Sequence, residues 1–562
     1  MNRKKLLIVG GVAGGASCAV RARRLSEDAE IIMLERGPYV SFANCGLPYH
    51  VGKVISKEEY LLVASPELFR DRFKIDVRIQ HNVRRILREE KSIEVESLTE
   101  GEVYRENYDA LVLSPGSEPI RPTIPGVSLP GIFTVSTIPD TRRILQWINE
   151  NNPRRAVVVG GGFIGLEMAE NLIRRKIGVS IAEMQKHVMP ALDPEMGAII
   201  NDHLRARGVD LYLGSPVSAF RKGSSASLCV CLDSGKEIEA DLVILCIGVR
   251  PRIELAEAAG LRIGECGGIW VDDQMRTSDD NIWAVGDAVE VKDYVLGGQT
   301  MVPLAGPANR QGRIAADAIL GNDVKKPRFR GVQATAVCGV LGLTIASTGK
   351  TERQLIRAAR SSEIGPFEKV YLHPYHHATY YPNAKHMCMK LIFAKKDGRI
   401  LGAQAVGREG VEKRIDVIAM AIQKNGTVFD LEEAELCYAP QYGSAKDPVN
   451  LAGMVAANTL RGLIEVAHWE DLKGSGAFIL DVRDLKEYER DHVEGAVNIP
   501  LNSLRERMGE LPRDQDIFVY CLVGIRSYLA ARILRQNGFR AKNISGGIML
   551  YPFVKQIYSS EF

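Results

Sequence analysis

Apolar runs of four to six residues recur along the chain between glycine-rich or polar turns. "KLLIV" reads as a buried strand, "GGVAGG" as a tight turn, and "ASCAVRARRL" as part of a helix that opens with small residues. "AEIIMLERG" then returns as a second strand that ends in Glu35. This is a βαβ unit, in which glycines let the backbone approach a pyrophosphate and a terminal acid accepts hydrogen bonds from a ribose. The unit recurs in "RRAVVVGGGFIGLEMAENLIRRKIGVSIAEM", with Gly160, Gly162 and Gly165 in the full glycine spacing and Glu183 closing the strand. Val12 replaces the middle glycine of the first unit. Two such folds imply two dinucleotides.

Two further stretches complete the first fold. "YDALVLSPGSEP" is a strand leading to a Pro115-Gly116 turn, and "TSDDNIWAVGDAVEV" is a strand ending in Gly286-Asp287. "MKLIFAKKDGRILGAQAVG" reads as two strands about a Lys-Asp-Gly turn, with "GVEKRIDVIAMAIQKN" as the following helix. The last hundred residues form a separate α/β pattern in which Cys521 ends a strand and "CLVGIR" precedes a helix. Successive loop amides and a helix N-terminus there make an anion nest that suits a thiolate or persulfide.

These motifs resemble the flavoprotein pyridine nucleotide-disulfide oxidoreductases over roughly residues 1–450 and a rhodanese domain beyond. The fold class expected is therefore α/β, with two Rossmann-like domains, an α+β dimerisation domain and an α/β rhodanese domain. The resemblance implies an FAD domain from residues 1–115 and 247–327, interrupted by an NAD(P)H domain at 116–246. A dimerisation domain at 328–450, a linker at 451–464 and the rhodanese domain at 465–562 follow. FAD contacts are expected from Gly10, Val12, Ala13, Gly14, Glu35, Arg36, Val83, Ser114, Gly116 and Asp287, the last toward the ribityl chain. NADH contacts are expected from Gly160, Gly162, Phe163, Ile164, Gly165, Glu183 and Gly248.

Dithiol members of this family carry Cys-x4-Cys, but position 50 is His50, so Cys45 must pair with an external partner or cycle through sulfenic acid. "SFANCGLPY" resembles the segment of coenzyme A-disulfide reductases, in which the cysteine forms a mixed disulfide with CoA. That resemblance maps CoA contacts onto Ser17, Arg21, Arg24, Ser41, Asn44, Asn309 and Lys446, with Phe73 where the family has a lysine. It maps two tyrosines contributed by the partner subunit onto Tyr380 and Tyr438, which implies a homodimer with shared active sites. The fusion resembles NADH-dependent persulfide and polysulfide reductases. In that reading Cys521, with Leu522, Val523, Gly524, Ile525 and Arg526 around it, carries sulfane sulfur. Two alternatives stay open: an NADH oxidase or peroxidase, which Ala13 disfavours because that group has a histidine there, and a non-enzymatic flavin sensor or sulfur-carrier adaptor.

Composition narrows the setting. The net charge of +3 gives no case for nucleic acid or an anionic membrane as partner. Ten scattered cysteines lack the spacing of a disulfide framework and suit a reducing cytoplasm. "MNRKKLLIVGGVAGGASC" imitates a lipoprotein leader, but paired glycines interrupt its apolar run. "DLVILCIGV" is far shorter than the roughly 20 residues of a membrane span. His373, His376 and His377 read as a solvated or interface loop and not a metal site. Cys229 and Cys231 read as alternating surface and core positions of a strand.

Overall fold

The computed structural model describes residues 4–224, 226–321, 327–360 and 364–558. The chain divides into two compact units, one of residues 1–182 and 215–334, the other of 183–214 and 335–562.

In the first unit, a parallel sheet runs in the order Ile282–Ala284, Ala110–Leu113, Lys5–Val9, Glu30–Glu35, Asp76–Ile79. Leu6, Leu7, Ile8, Leu111 and Val112 are wholly buried, because a parallel sheet is covered on both faces and cannot alternate polar with apolar residues. The helices Ala13–Leu25 and Ala305–Leu320 pack against each other through small residues, with Gly312 against the Gly14 carbonyl. Arg155–Val159 is the central strand of a second parallel sheet, between Gly178–Glu183 and Leu242–Leu245. A three-stranded meander, Val217–Arg221, Leu228–Leu232 and Glu237–Ala240, branches from this region of the chain.

The second unit holds an antiparallel sheet, ordered Ala336–Val340, Leu343–Gly349, Ile400–Gly407, Met387–Ala394, Phe367–Leu372. The expected pair of strands and the helix Val411–Gln423 are all present. A parallel sheet of Glu465–Ala467, Ala541–Ile544, Ile517–Tyr520, Phe478–Asp481 and Val497–Asn498 follows, with the helix Ile525–Gln536 after Cys521.

Three readings change. Most of 451–464, expected as a linker, is helical: Pro448–Leu460 starts on an Asp447 capping box and buries Ala452, Gly453, Ala456 and Ala457. His373, His376 and His377 are buried, not solvated; the His373 ring meets the Gly546 carbonyl at 3.0 Å, and burial pushes its pKa down to about 4. Cys229 and Cys231 are both buried, since residues two apart on a strand share a face.

A buried ion cluster sits beneath the antiparallel sheet. Lys390 contacts Asp193 at 2.9 Å and both Glu195 and Glu352 at 2.7 Å, while Lys369 joins Glu352 to Glu470. Burial alone favours a neutral Glu352, yet Lys390 and Lys369 outweigh it and hold the carboxyl at about 2. Glu352 thus stabilises the fold fully above its unfolded pKa of about 4.3, and that contribution fades as pH falls toward 2. Lys390→Met leaves Asp193 and Glu195 without their buried cation and Glu352 with Lys369 alone. It is expected to cost about 3–5 kcal/mol in denaturant unfolding at neutral pH, a loss that shrinks as the stranded carboxylates take up protons at lower pH. An unchanged midpoint would show that the cluster relaxes without its lysine.

Candidate active site

The first glycine turn brings the backbone of two strands together. Gly10 has φ +94°, and a Cβ there would lie 2.0 Å from the Ser114 carbonyl oxygen. Val12, the N-cap of Ala13–Leu25, offers no side-chain cap, so the first amides of that helix, from Ala13 and Gly14 onward, are open to an anion. Glu35 is fixed by accepting from the amides of Gly11 (2.8 Å) and Gly37 (2.7 Å). Asp287 is joined to Ser117 at 2.8 Å, and its burial raises its pKa. Gly116 faces open space, Arg36 is exposed and Val83 packs against the core. A dinucleotide fits this cradle of open amides, a fixed acid at the strand end and a buried aspartate.

The second turn repeats it. Gly162 caps Phe163–Arg174 without a side-chain bond, and a Cβ on it would touch nothing within 4 Å. Gly165 lies on the buried side of the helix, Ile164 on the exposed side, and Gly160 and Gly248 both have positive φ. Glu183 is buried, with Oε1 accepting from the Gln185 amide at 2.8 Å.

A cavity of about 570 Å³ opens beside the first turn. Its walls include Ser17, Arg21 and Arg24 from one helix, Asn309 and Arg313 from Ala305–Leu320, and Ser41, Asn44 and Cys45 from the loop between. Five of the expected CoA residues besides Cys45 and Ser41 therefore meet in one place. Ser17 bonds Asn309, and Arg21 pairs with Asp317 at 2.5 Å. Phe69 and Phe73 form an apolar wall where the family resemblance puts a lysine. Ser41 holds a left-handed φ of +45° while its amide donates to the Gly11 carbonyl and its own carbonyl accepts from Val63. Such strain in a residue without a glycine's freedom persists where the surroundings enforce it.

Cys45 is a free, exposed thiol in a short turn, Asn44–Gly46. Its amide donates to the Asn44 side-chain oxygen at 3.2 Å. Partial burial, then the carboxylates of Glu167 and Asp287, raise its pKa. Glu167 was not legible in the sequence. It lies on the helix after the second glycine turn, accepts from the Tyr49 hydroxyl at 3.1 Å, and is itself raised by burial. Its only sequence signal was a carboxylate within "GFIGLEMAE". Arg313 was also missed, because only the packing of its helix turns it to the cavity.

In the second unit, the Tyr380 and Tyr438 hydroxyls are 2.6 Å apart on exposed loops, and Lys446 is exposed. Cys521 is buried at the end of its strand, and its sulfur accepts from the Gly524 amide (3.2 Å) and the Ser527 hydroxyl (3.4 Å). Gly524 has φ +104°, which turns the loop amides inward ahead of Ile525–Gln536. Arg526 is held by Glu487 through bonds of 2.6 and 2.8 Å, Ile525 is exposed, and Leu522 and Val523 are partly buried.

Comparison with known families agrees with this geometry. The model of the pyridine nucleotide-disulphide oxidoreductases matches residues 4–312, over half the chain. The chain belongs to that family. Its dimerisation-domain model matches residues 335–447, and a rhodanese-like domain matches 466–551. FAD and NAD(H) are the cofactors of this oxidoreductase family, and the chain has their two cradles.

A Methanocaldococcus jannaschii relative described as an NADH oxidase is 35% identical over 81% of this chain and 99% of its own. A coenzyme A disulfide reductase of Staphylococcus haemolyticus is 32% identical over the same shares. Among solved structures, reduced Bacillus anthracis CoADR-RHD superposes with a TM-score of 0.95 at 46% identity, covering 100% of this chain and 99% of that one. An NAD-dependent persulfide reductase from A. fulgidus gives 0.90 at 38% identity, over 97% and 100%. Among the described residues no helix is long and apolar enough to cross a membrane.

Glu167→Gln removes a negative charge from the surroundings of Cys45. The midpoint of Cys45 alkylation in the reduced, FAD-loaded enzyme is expected to fall in pH. A midpoint that stays or rises would show that Glu167 does not act on the thiol.

Proposed function

We propose that the protein is an NADH-dependent flavoenzyme that reduces CoA persulfide, CoA disulfide or a related polysulfide through the single redox cysteine Cys45. The observation that carries this reading is a cavity lined by Cys45 together with Arg24 and Arg313, Arg21 paired with Asp317, and the apolar Phe69 and Phe73. A thiol at one end with cations and apolar surface beyond suits a sulfur substrate on a long, phosphate-bearing arm. The names of the coenzyme A disulfide reductase and persulfide reductase relatives support the substrate class.

Bound NADH and FAD supply an electron pair to the sulfur at Cys45. The Cys45 thiolate attacks the CoA-bound sulfur of the S–S bond and forms a Cys45–CoA mixed disulfide as that bond breaks, expelling hydrosulfide from CoA persulfide or CoA thiolate from CoA disulfide. The electron pair and one proton then release the second thiol and restore Cys45. For CoA persulfide the sum is NADH plus one proton and CoA-S-SH, giving NAD⁺, CoA-SH and H₂S. Ser17, Asn309 and Asn44 orient the substrate, with Lys446 as a further cation. Tyr380 and Tyr438 of the partner subunit supply the proton to the leaving group, which makes the homodimer the working unit. Cys521 carries sulfane sulfur as a persulfide held by the Gly524 amide and Ser527, and CoA ferries it to Cys45. The partition into FAD, NAD(P)H, dimerisation and rhodanese domains stands as the accompanying proposal, and the free thiols suit a reducing, cytoplasmic setting.

The name of the Methanocaldococcus relative favours a second reading, oxygen reduction through a Cys45 sulfenic acid. The decisive experiment is NADH turnover with CoA disulfide, CoA persulfide, polysulfide and oxygen, with sulfide and thiol both quantified. Sulfur acceptors are expected to be used and to lose all turnover in Cys45→Ser, which keeps its FAD. NADH consumption matched by oxygen uptake alone would establish the second reading.

Cys521→Ser is expected to impair polysulfide use much more than use of preformed CoA persulfide; equal, undiminished rates would remove Cys521 from the pathway. Glu183, a carboxylate placed to accept a ribose hydroxyl and repel a phosphate, predicts a higher kcat/KM for NADH than for NADPH. The reverse preference would show the argument wrong.

A further inference from the structure

The meander Val217–Arg221, Leu228–Leu232, Glu237–Ala240 takes no part in the chemistry above, yet it gathers two thiols and a carboxylate. Strand pairing sets Cys231 opposite Glu237 and Cys229 opposite Glu239, so all four side chains leave the same face. Both thiols are 5% exposed. Their cover is thin: it includes Arg221 and Glu237, whose side chains are 64% and 53% exposed and pair at 2.8 Å. The Cys229 sulfur lies 3.6 Å from a Glu237 oxygen, and the Arg221 Nε–H donates to the Cys231 sulfur at 3.2 Å. Glu239 accepts from the Ser224 amide and hydroxyl.

The two sulfurs and a Glu237 oxygen all lie within 4.8 Å of one another. Tetrahedral zinc with bonds of about 2.3 Å to sulfur sets two sulfurs about 3.8 Å apart, and places a carboxylate oxygen at about 2.0–2.2 Å from the ion. The donor set is therefore of the right size for one ion, with little movement of the strands. The charges also close. Two thiolates and a carboxylate carry three negative charges, and a divalent cation together with Arg221 carries three positive ones. An N–H donated to a metal-bound thiolate is the usual partner of such a ligand.

We propose that Cys229, Cys231 and Glu237 form a binding site for a thiophilic divalent cation of the zinc type. The ion cross-links the strands Leu228–Leu232 and Glu237–Ala240, and its fourth coordination place opens to solvent beside Glu237. Binding displaces one proton from each thiol, with no oxidation. The site is independent of the sulfur chemistry at Cys45 and Cys521.

Cobalt(II) is the probe, titrated without oxygen into FAD-loaded enzyme that carries Cys45→Ser and Cys521→Ser, so that those thiols do not compete. One equivalent per chain is expected, with a tetrahedral spectrum, thiolate-to-cobalt charge transfer and displacement by zinc. Cys229→Val/Cys231→Val, which suits a buried strand, is expected to abolish the signal. Its flavin absorption and circular dichroism report that it has folded, and Cys231→Ser stands in if it has not. Glu237→Gln should weaken binding by at least about tenfold, since even outer partners of metal ligands are worth that much. Zinc should raise the melting temperature of the parent and not of the valine pair. Equal cobalt uptake by the valine pair, an octahedral spectrum or no uptake by the parent would each overturn the proposal.

Discussion

The candidate active site depends on one close contact between two helices. A Cβ on Gly312 would lie 2.2 Å from the Gly14 carbonyl oxygen, and one on Gly14 would lie 2.9 Å from the Val285 side chain. Only hydrogen fits at either place, so Ala13–Leu25 and Ala305–Leu320 meet backbone to backbone. The first helix contributes Ser17, Arg21 and Arg24 to the cavity, and the second contributes Asn309 and Arg313. The same first helix presents its open amides at the other side of its first turn. One packing constraint thus brings the first glycine turn, through Val12 and Ala13, and the Cys45 loop to the same cavity.

The electrostatics of the cavity are graded. Arg21 is neutralised by Asp317, which leaves Arg24 and Arg313 to attract an anionic arm. Cys45 differs: its partial burial, then the nearby carboxylates of Glu167 and Asp287, raise the pKa of its thiol. Cys521 is the contrasting case. Its buried sulfur receives donated hydrogen bonds from the Gly524 amide and the Ser527 hydroxyl.

Motifs that are local in sequence were legible. The two glycine turns, the acids Glu35 and Glu183, the Asp287 strand and the Cys521 loop each carry their signal within a few residues. Four residues placed in the CoA site by resemblance, Ser17, Arg21, Arg24 and Asn309, meet in one cavity because two helices carry them. Features set by packing were not legible. Glu167 acts across from Tyr49, 118 residues away in sequence. The lysine cluster joins Asp193, Glu195, Glu352 and Glu470, which no short window contains. The three histidines looked polar and so solvated, but the bonds of His373 to Gly546 and of His376 to Lys385 let them be buried.

The central claim is that Cys45 is the thiol that takes the substrate sulfur. Its most direct measurement is mass analysis of peptides from enzyme that has been reduced, freed of NADH and then exposed to CoA disulfide. The account predicts one CoA adduct per chain, on the peptide that carries Cys45 and removed by NADH. An adduct on another cysteine, or an unmodified Cys45 under conditions that support turnover, would contradict it.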